Sequence, residues 1–138
     1  MIRNGLPILL LLTLSLGLVG CEEDSAPVTG QLDGPWGARH VQLVADAEGA
    51  RLVFDCAYGT IEGPLVPDAD GTFVRGGTFT TVGGAERLDD PRTPEPARYQ
   101  GHLVGDTLEL TILLTTSGQV LGPFVLIEGE TGVVYMCQ

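Results

Sequence analysis

Lysine is absent from the 138 residues: all seven basic side chains are arginine, set against 18 acids for a formal net charge of −11. Without lysine there is no Schiff-base chemistry and no phosphate-cradling Gly-Lys-Ser/Thr loop. A chain this acidic is also a poor match for a phosphate backbone, which excludes nucleic acid as a partner. Serine is scarce: after residue 20 only Ser25 and Ser117 remain, neither in a Gly-x-Ser-x-Gly elbow. Histidine occurs twice, as His40 and His102, so there is no His-Glu-x-x-His metal helix. Aromatic residues make up only 6% of the chain, modest for a domain that grips a large flat ligand. What is abundant is glycine, with 20 residues, alongside nine prolines and a 43% hydrophobic share. That share is too high for a disordered acidic tail, and the length allows one domain, so a single Gly-rich, mostly β domain is expected.

Residues 1–20 read as an export signal. Arg3 supplies the positive start, residues 6–19 are almost wholly apolar, and no acid precedes Glu22. The apolar run, at about 14 residues, is shorter than the roughly 20 needed for a permanent membrane-crossing helix. It ends in Leu18-Val19-Gly20-Cys21, which resembles the lipobox of bacterial lipoproteins. The resemblance implies removal of the signal before Cys21, a diacylglycerol on its thiol and an acyl group, such as palmitate, on the new amino terminus. Each buried methylene contributes about 0.8 kcal/mol and two chains give stable anchoring, so Cys21 would hold the protein on a bilayer without a transmembrane helix. The mature chain keeps six arginines against 18 acids and is repelled by anionic headgroups, which leaves the anchor to supply membrane affinity. Glu22 stands where an Asp would favour inner-membrane retention, so the resemblance points to the outer membrane, facing the periplasm or the cell surface.

The expected organisation is a signal over 1–20, a lipidated Cys and flexible tether over 21–34, and one β domain over 35–138. The tether is acidic and carries Pro27, Gly30 and Gly34 with no hydrophobic period. Beyond it, apolar patches recur every 8 to 12 residues or so with turn signals between them, the pattern of an all-β barrel or sandwich. Strands are expected near 36–45, 51–56, 58–62, 72–82, 97–104, 107–115, 120–127 and 133–137. Alternation is clearest where Leu108, Leu110, Ile112 and Leu114 face one way and Thr107, Glu109 and Thr111 the other. Short Gly-marked connections favour sequential antiparallel neighbours. The predicted fold is therefore a small up-and-down antiparallel eight-stranded barrel, since closure removes unpaired edges, with a half-open barrel or two-sheet sandwich as alternatives. Gly34-Pro35-Trp36 resembles the Gly-x-Trp signature of the lipocalin and calycin group, which implies the same barrel. One long break, 83–96, is rich in proline and charge and reads as a loop.

With Cys21 assigned to lipid, Cys56 and Cys137 remain as an even pair in an oxidising compartment and are expected to form one structural disulfide. Closing a loop of about 80 residues contributes on the order of 4 kcal/mol in the chain-entropy account. Neither cysteine sits in a C-x-x-C arrangement or beside a histidine, so no metal or redox role is assigned. His40 and His102, candidate ligand or ion-pair groups, could meet across the barrel and with Asp55 or Glu109 bind a transition metal, or be independent strand residues, the commoner case. Arg75 falls on an aromatic-bearing face, either as a ligand counterion or paired with Glu62 or Asp55. Asp68-Ala69-Asp70-Gly71 resembles the centre of a calcium loop but lacks the terminal Glu, so a hairpin turn is expected. No catalytic set, metal or cofactor is assigned; the carboxylates Asp55, Glu62 and Glu109 are the residues an enzyme would have to group together.

The function expected is a membrane-anchored envelope lipoprotein whose non-enzymatic β domain binds a protein or a small apolar ligand. The alternative is an inhibitor of a lysozyme-like or other hydrolase. It rests on Phe54-Asp55-Cys56-Ala57-Tyr58-Gly59, which resembles the aromatic-x-Cys-x-x-Gly strand of membrane-bound lysozyme inhibitors, and on the net acidity, which suits a basic enzyme.

Overall fold

A computed structural model describes residues 20, 30–82, 93–135 and 137. Cys21 and most of the signal and tether, and 83–92 of the long loop, lie outside the described residues. The rest forms eight antiparallel strands: β1 Gly34–Ala38, β2 Val41–Asp46, β3 Gly49–Phe54, β4 Ala57–Glu62, β5 Thr72–Thr81, β6 Glu95–Val104, β7 Thr107–Leu114 and β8 Val120–Glu128. Each pairs with its sequence neighbour, and β8 returns to β1 to close the barrel.

The strand count matches the expectation, but two of the strands differ. Residues 36–45, read as one strand, are a hairpin in which Ala38 pairs with Val41 across a two-residue turn of Arg39 and His40. Neither turn residue is a glycine or asparagine, although His40 adopts a left-handed φ of 73°, so the usual turn signal is missing. The expected strand 133–137 is not found: its described residues, 133–135 and 137, form no barrel strand, and among them there is one isolated parallel bridge, Arg39 with Val133. The long break also ends sooner than expected, because Glu95 and Pro96 already pair with Phe79 and Thr78 in the sheet.

Alternation decides what lies inside. Leu108, Leu110, Ile112 and Leu114 of β7 are all buried, together with Val41, Leu43 and Ala45 of β2 and Leu52 of β3. Outward positions carry Gln42, Asp46, Arg51, Glu62, Arg98, Gln100 and Glu109. Exposed Val44, Val53, Tyr58, Val74, Val104 and Val125 share the strands with these polar residues, so the outer face is mixed while the inner face is apolar. Small residues make room for large ones: the Phe73 ring lies over Gly101, its cross-strand partner, and the Tyr99 hydroxyl lies over Gly59. Tyr99 is fully buried and donates its O–H to the Thr78 carbonyl at 2.5 Å, and burial holds its phenol well above the usual range.

The two ends of the barrel differ. The lower end holds the β2–β3, β4–β5 and β6–β7 connections and is plugged by Leu65, which is 0% exposed, and Leu32, 4% exposed. The Leu32 N–H donates to the Leu65 carbonyl at 2.8 Å. Leu32 therefore belongs to the core, and the domain begins before the tether was expected to end. The upper end carries the β1–β2, β3–β4 and β7–β8 turns and the β5–β6 connection, and among the described residues nothing caps it.

After β8 the chain turns back and climbs the outer face of β1 from the lower end to the upper. The Gly129 N–H donates to the Pro35 carbonyl at 2.8 Å, Val133 N–H to Ala38 at 3.1 Å, and His40 N–H to the Val133 carbonyl at 2.7 Å. This tail covers the barrel's shortest seam, where β1 and β8 share only two registered pairs. Gly37 and Gly132 allow the close approach: a Cβ on Gly37 would lie within 2.7 Å of the Glu130 carbonyl oxygen. The tail ends at the upper rim, where Cys137 is disulfide-bonded to Cys56 in the β3–β4 turn, with a Cα–Cα separation of 5.2 Å. The expected pairing is present, and it joins a turn to a tail rather than one strand to another.

Candidate functional site

The open upper end forms a cavity of about 410 Å³. Its floor is apolar: inward-facing Phe54, Phe79 and Phe124 come from β3, β5 and β8, with the Phe54 ring 5.7 Å from Phe79 and 5.1 Å from Phe124, centroid to centroid. Both pairs are tilted, at 55° and 51°, within the range aromatic pairs favour. Phe124 reaches this position through an irregularity in β8. The register against β7 shifts between Leu110 and Ile112, around the cis Gly122-Pro123 bond, so that Leu121 and Phe124 both line the mouth although three residues apart.

The rim is polar. Asp55 Oδ2 lies 2.5 Å from His40 Nδ1, and Asp55 Oδ1 accepts the Tyr135 main-chain N–H at 2.9 Å. The Tyr135 ring stacks at a tilt on the His40 imidazole, with centroids 5.4 Å apart. The Tyr135 N–H, helped by His40 and by the charge of Arg39, holds the Asp55 carboxyl below the usual aspartate range. His40 is half exposed, and its strained turn is supported by the Val133 carbonyl on its N–H and by Asp55 on its ring. Across the mouth, Glu95 shares the inward face of β6 with Ala97 and Tyr99 and has no hydrogen-bond or ion-pair partner among the described residues.

Not every residue singled out from the sequence comes to this site. His102 faces outward on β6 near the lower end, paired in register with Thr72 and Glu109, so it does not meet His40 across the barrel. Among the described residues no group of three or more His, Cys, Asp or Glu could hold a metal ion. Arg75 has no carboxylate partner among the described residues; its Nε donates to the Pro64 carbonyl at 3.0 Å, which fastens the loop that carries the Leu65 plug. Asp55, one of its expected partners, is occupied by His40 and Tyr135, and the three carboxylates Asp55, Glu62 and Glu109 are not grouped. Asp68 is saturated by its own turn: Oδ1 accepts the N–H groups of Asp70 and Thr72 at 2.9 and 3.0 Å, and Oδ2 the Thr72 hydroxyl at 2.9 Å. These bonds, led by the Thr72 N–H, lower its pKa, and the segment is the hairpin turn expected.

Glu95 and the aromatic floor are not among the site residues expected from the sequence. Glu95 falls in the expected long loop, although the alternation Glu95, Ala97, Tyr99 already extends the inward face of β6 back to it. For Phe124, Gly122-Pro123 inside a strand is the signal that the backbone is re-aimed there.

A second hollow of about 440 Å³ lies between the tail and the barrel wall, lined by Gly37, Arg39, Ile127, Glu130, Gly132 and Tyr135 among others. It lacks the cluster of three phenylalanine rings that floors the mouth. Fold and site together define a closed up-and-down β-barrel with a filled centre, a plugged lower end and an aromatic cup at the upper end. Comparison of the chain with known protein families, with curated proteins and with solved structures finds no match.

Proposed function

We propose that the protein is a lipid-anchored envelope lipoprotein, non-enzymatic, whose barrel mouth holds a small apolar molecule. The observation that carries the reading is the roughly 410 Å³ cup floored by Phe54, Phe79 and Phe124 in a barrel whose remaining interior is filled. Pockets of about 300 to 1,000 Å³ with mostly apolar walls and a few polar groups are the usual form of small-molecule sites. Rim groups give orientation rather than chemistry: Cys56 is tied up in its disulfide, and His40 and Asp55 face each other with no nucleophile between them.

The test is a fluorescence titration with a neutral naphthalene probe, in wild type and in Ala57→Trp. Ala57 lies at the rim, and an indole there fills the cup without removing a core side chain. Saturable one-to-one binding that falls at least tenfold in Ala57→Trp, with the thermal midpoint preserved, is the expected result. No saturable binding, or equal affinity in the variant, overturns the reading. The inhibitor alternative rests on the segment 54–59; slowing of a basic lysozyme with no probe bound at the mouth would favour it.

A further inference from the structure

We infer that the mouth selects molecules with a positively charged head, such as a protonated amine or quaternary ammonium on an apolar body. The inference deepens the reading of the mouth as an apolar-ligand site and rests on it.

It starts from a charge inventory. Among the described residues the lining holds two carboxylates, Asp55 and Glu95, one imidazole, His40, and no arginine. Asp55 spends its two oxygens on His40 and on the Tyr135 N–H, and so turns toward the tail. Glu95 remains. It stands opposite Phe79 in the β5–β6 register, on the inward face, half-buried and with no partner among the described residues. A carboxylate beside aromatic rings at the edge of an apolar cup supplies the two elements that recognise an organic cation: a counter-charge and π-faces that attract positive charge. The same arrangement disfavours an anionic head, which would meet Glu95 with no arginine among the described lining residues to offset it. The net charge of −11 acts in the same direction, raising the local concentration of cations around the molecule.

The experiment uses three probes that share one aromatic body: naphthylmethylammonium, naphthylmethanol and naphthylacetate. Each is titrated by fluorescence at neutral pH and low salt into wild type, Glu95→Gln and Glu95→Arg, with a thermal melt as the folding control. Wild type is expected to bind the ammonium about fivefold tighter than the alcohol, and the carboxylate weakest. Glu95→Gln should bring the ammonium to the level of the alcohol while leaving the alcohol unchanged, and Glu95→Arg should reverse the order of the charged probes. Raising salt should shrink the wild-type preference. If the alcohol binds but charge has no effect, or Glu95→Gln keeps the preference, the cation inference fails and the apolar site stands. If no probe binds, both fail.

Discussion

Asp55 accepts the main-chain N–H of Tyr135 from 80 residues further along the chain, and one residue beyond Asp55 the disulfide from Cys56 to Cys137 repeats the connection covalently. The tail is thus fastened to the upper rim by two adjacent links of different chemistry, one sensitive to reductant and the other to acid.

Reduction should cost the fold a large part of its stability. Chain-entropy reasoning gives on the order of 4 kcal/mol for a loop of this length and removal of native disulfides costs about 2 to 5, against a typical total of about 5 to 15. Denaturant titration with and without a dithiol, and of the Cys56→Ala/Cys137→Ala variant, should show matching drops. An unchanged midpoint would mean the bridge only decorates a tail that is already free.

Acid should loosen the same tail without reductant. Asp55 has a lowered pKa in the folded protein, so its contribution is fully present above the ordinary aspartate value of about 3.9 and is lost as pH falls through the folded value. Asp68 titrates in the same window at the other end of the barrel, so a global melt mixes the two. Amide exchange at Tyr135 separates them: protection should fall below about pH 4 in wild type and be low at every pH in Asp55→Ala, which has no acceptor for that N–H. Equal protection in both proteins at neutral pH would show that the carboxylate does not hold the tail.

Gly37→Ala should destabilise by about 1 to 3 kcal/mol, because the new methyl must push aside the tail backbone at Glu130 and Gly132. Gly76→Ala is the matched control. A Cβ there meets nothing within 4 Å, so the change should stay within about 0.5 kcal/mol. Equal midpoints for the two variants would mean the tail does not rest on β1.

Cys21→Ser should move the protein from the membrane fraction to the soluble fraction and remove the acyl mass from its amino terminus. Mass spectrometry of both fractions reads the two effects together. A Cys21→Ser protein that still sediments with membranes would remove the anchor from the account.

The strand rhythm was legible because β7 and β6 bury alternate residues so regularly that period two decides which face is core, and because the Cys56–Cys137 pair had no competitor once Cys21 was set aside. The β1–β2 turn was not legible. His40 occupies a left-handed turn position where sequence reasoning looks for glycine, and the contacts that support it come from Val133 and Asp55, distant in sequence. Residues 133–137 have the composition of a strand, but β8 had already closed the barrel against β1, which left them to pack outside it. The mouth was illegible for the same reason. Phe54, Phe79 and Phe124 come from three strands, and only closure of the barrel, with the kink at Gly122-Pro123, gathers them at one end.

Leu32, sealed against Leu65 at the foot of the barrel, is also where the amino-terminal leader joins the folded body. The lipid anchor proposed at Cys21 would therefore attach the molecule by its stoppered base. The aromatic bowl would then open on the side away from the attachment point, toward solutes in the surrounding water rather than the lipid beneath.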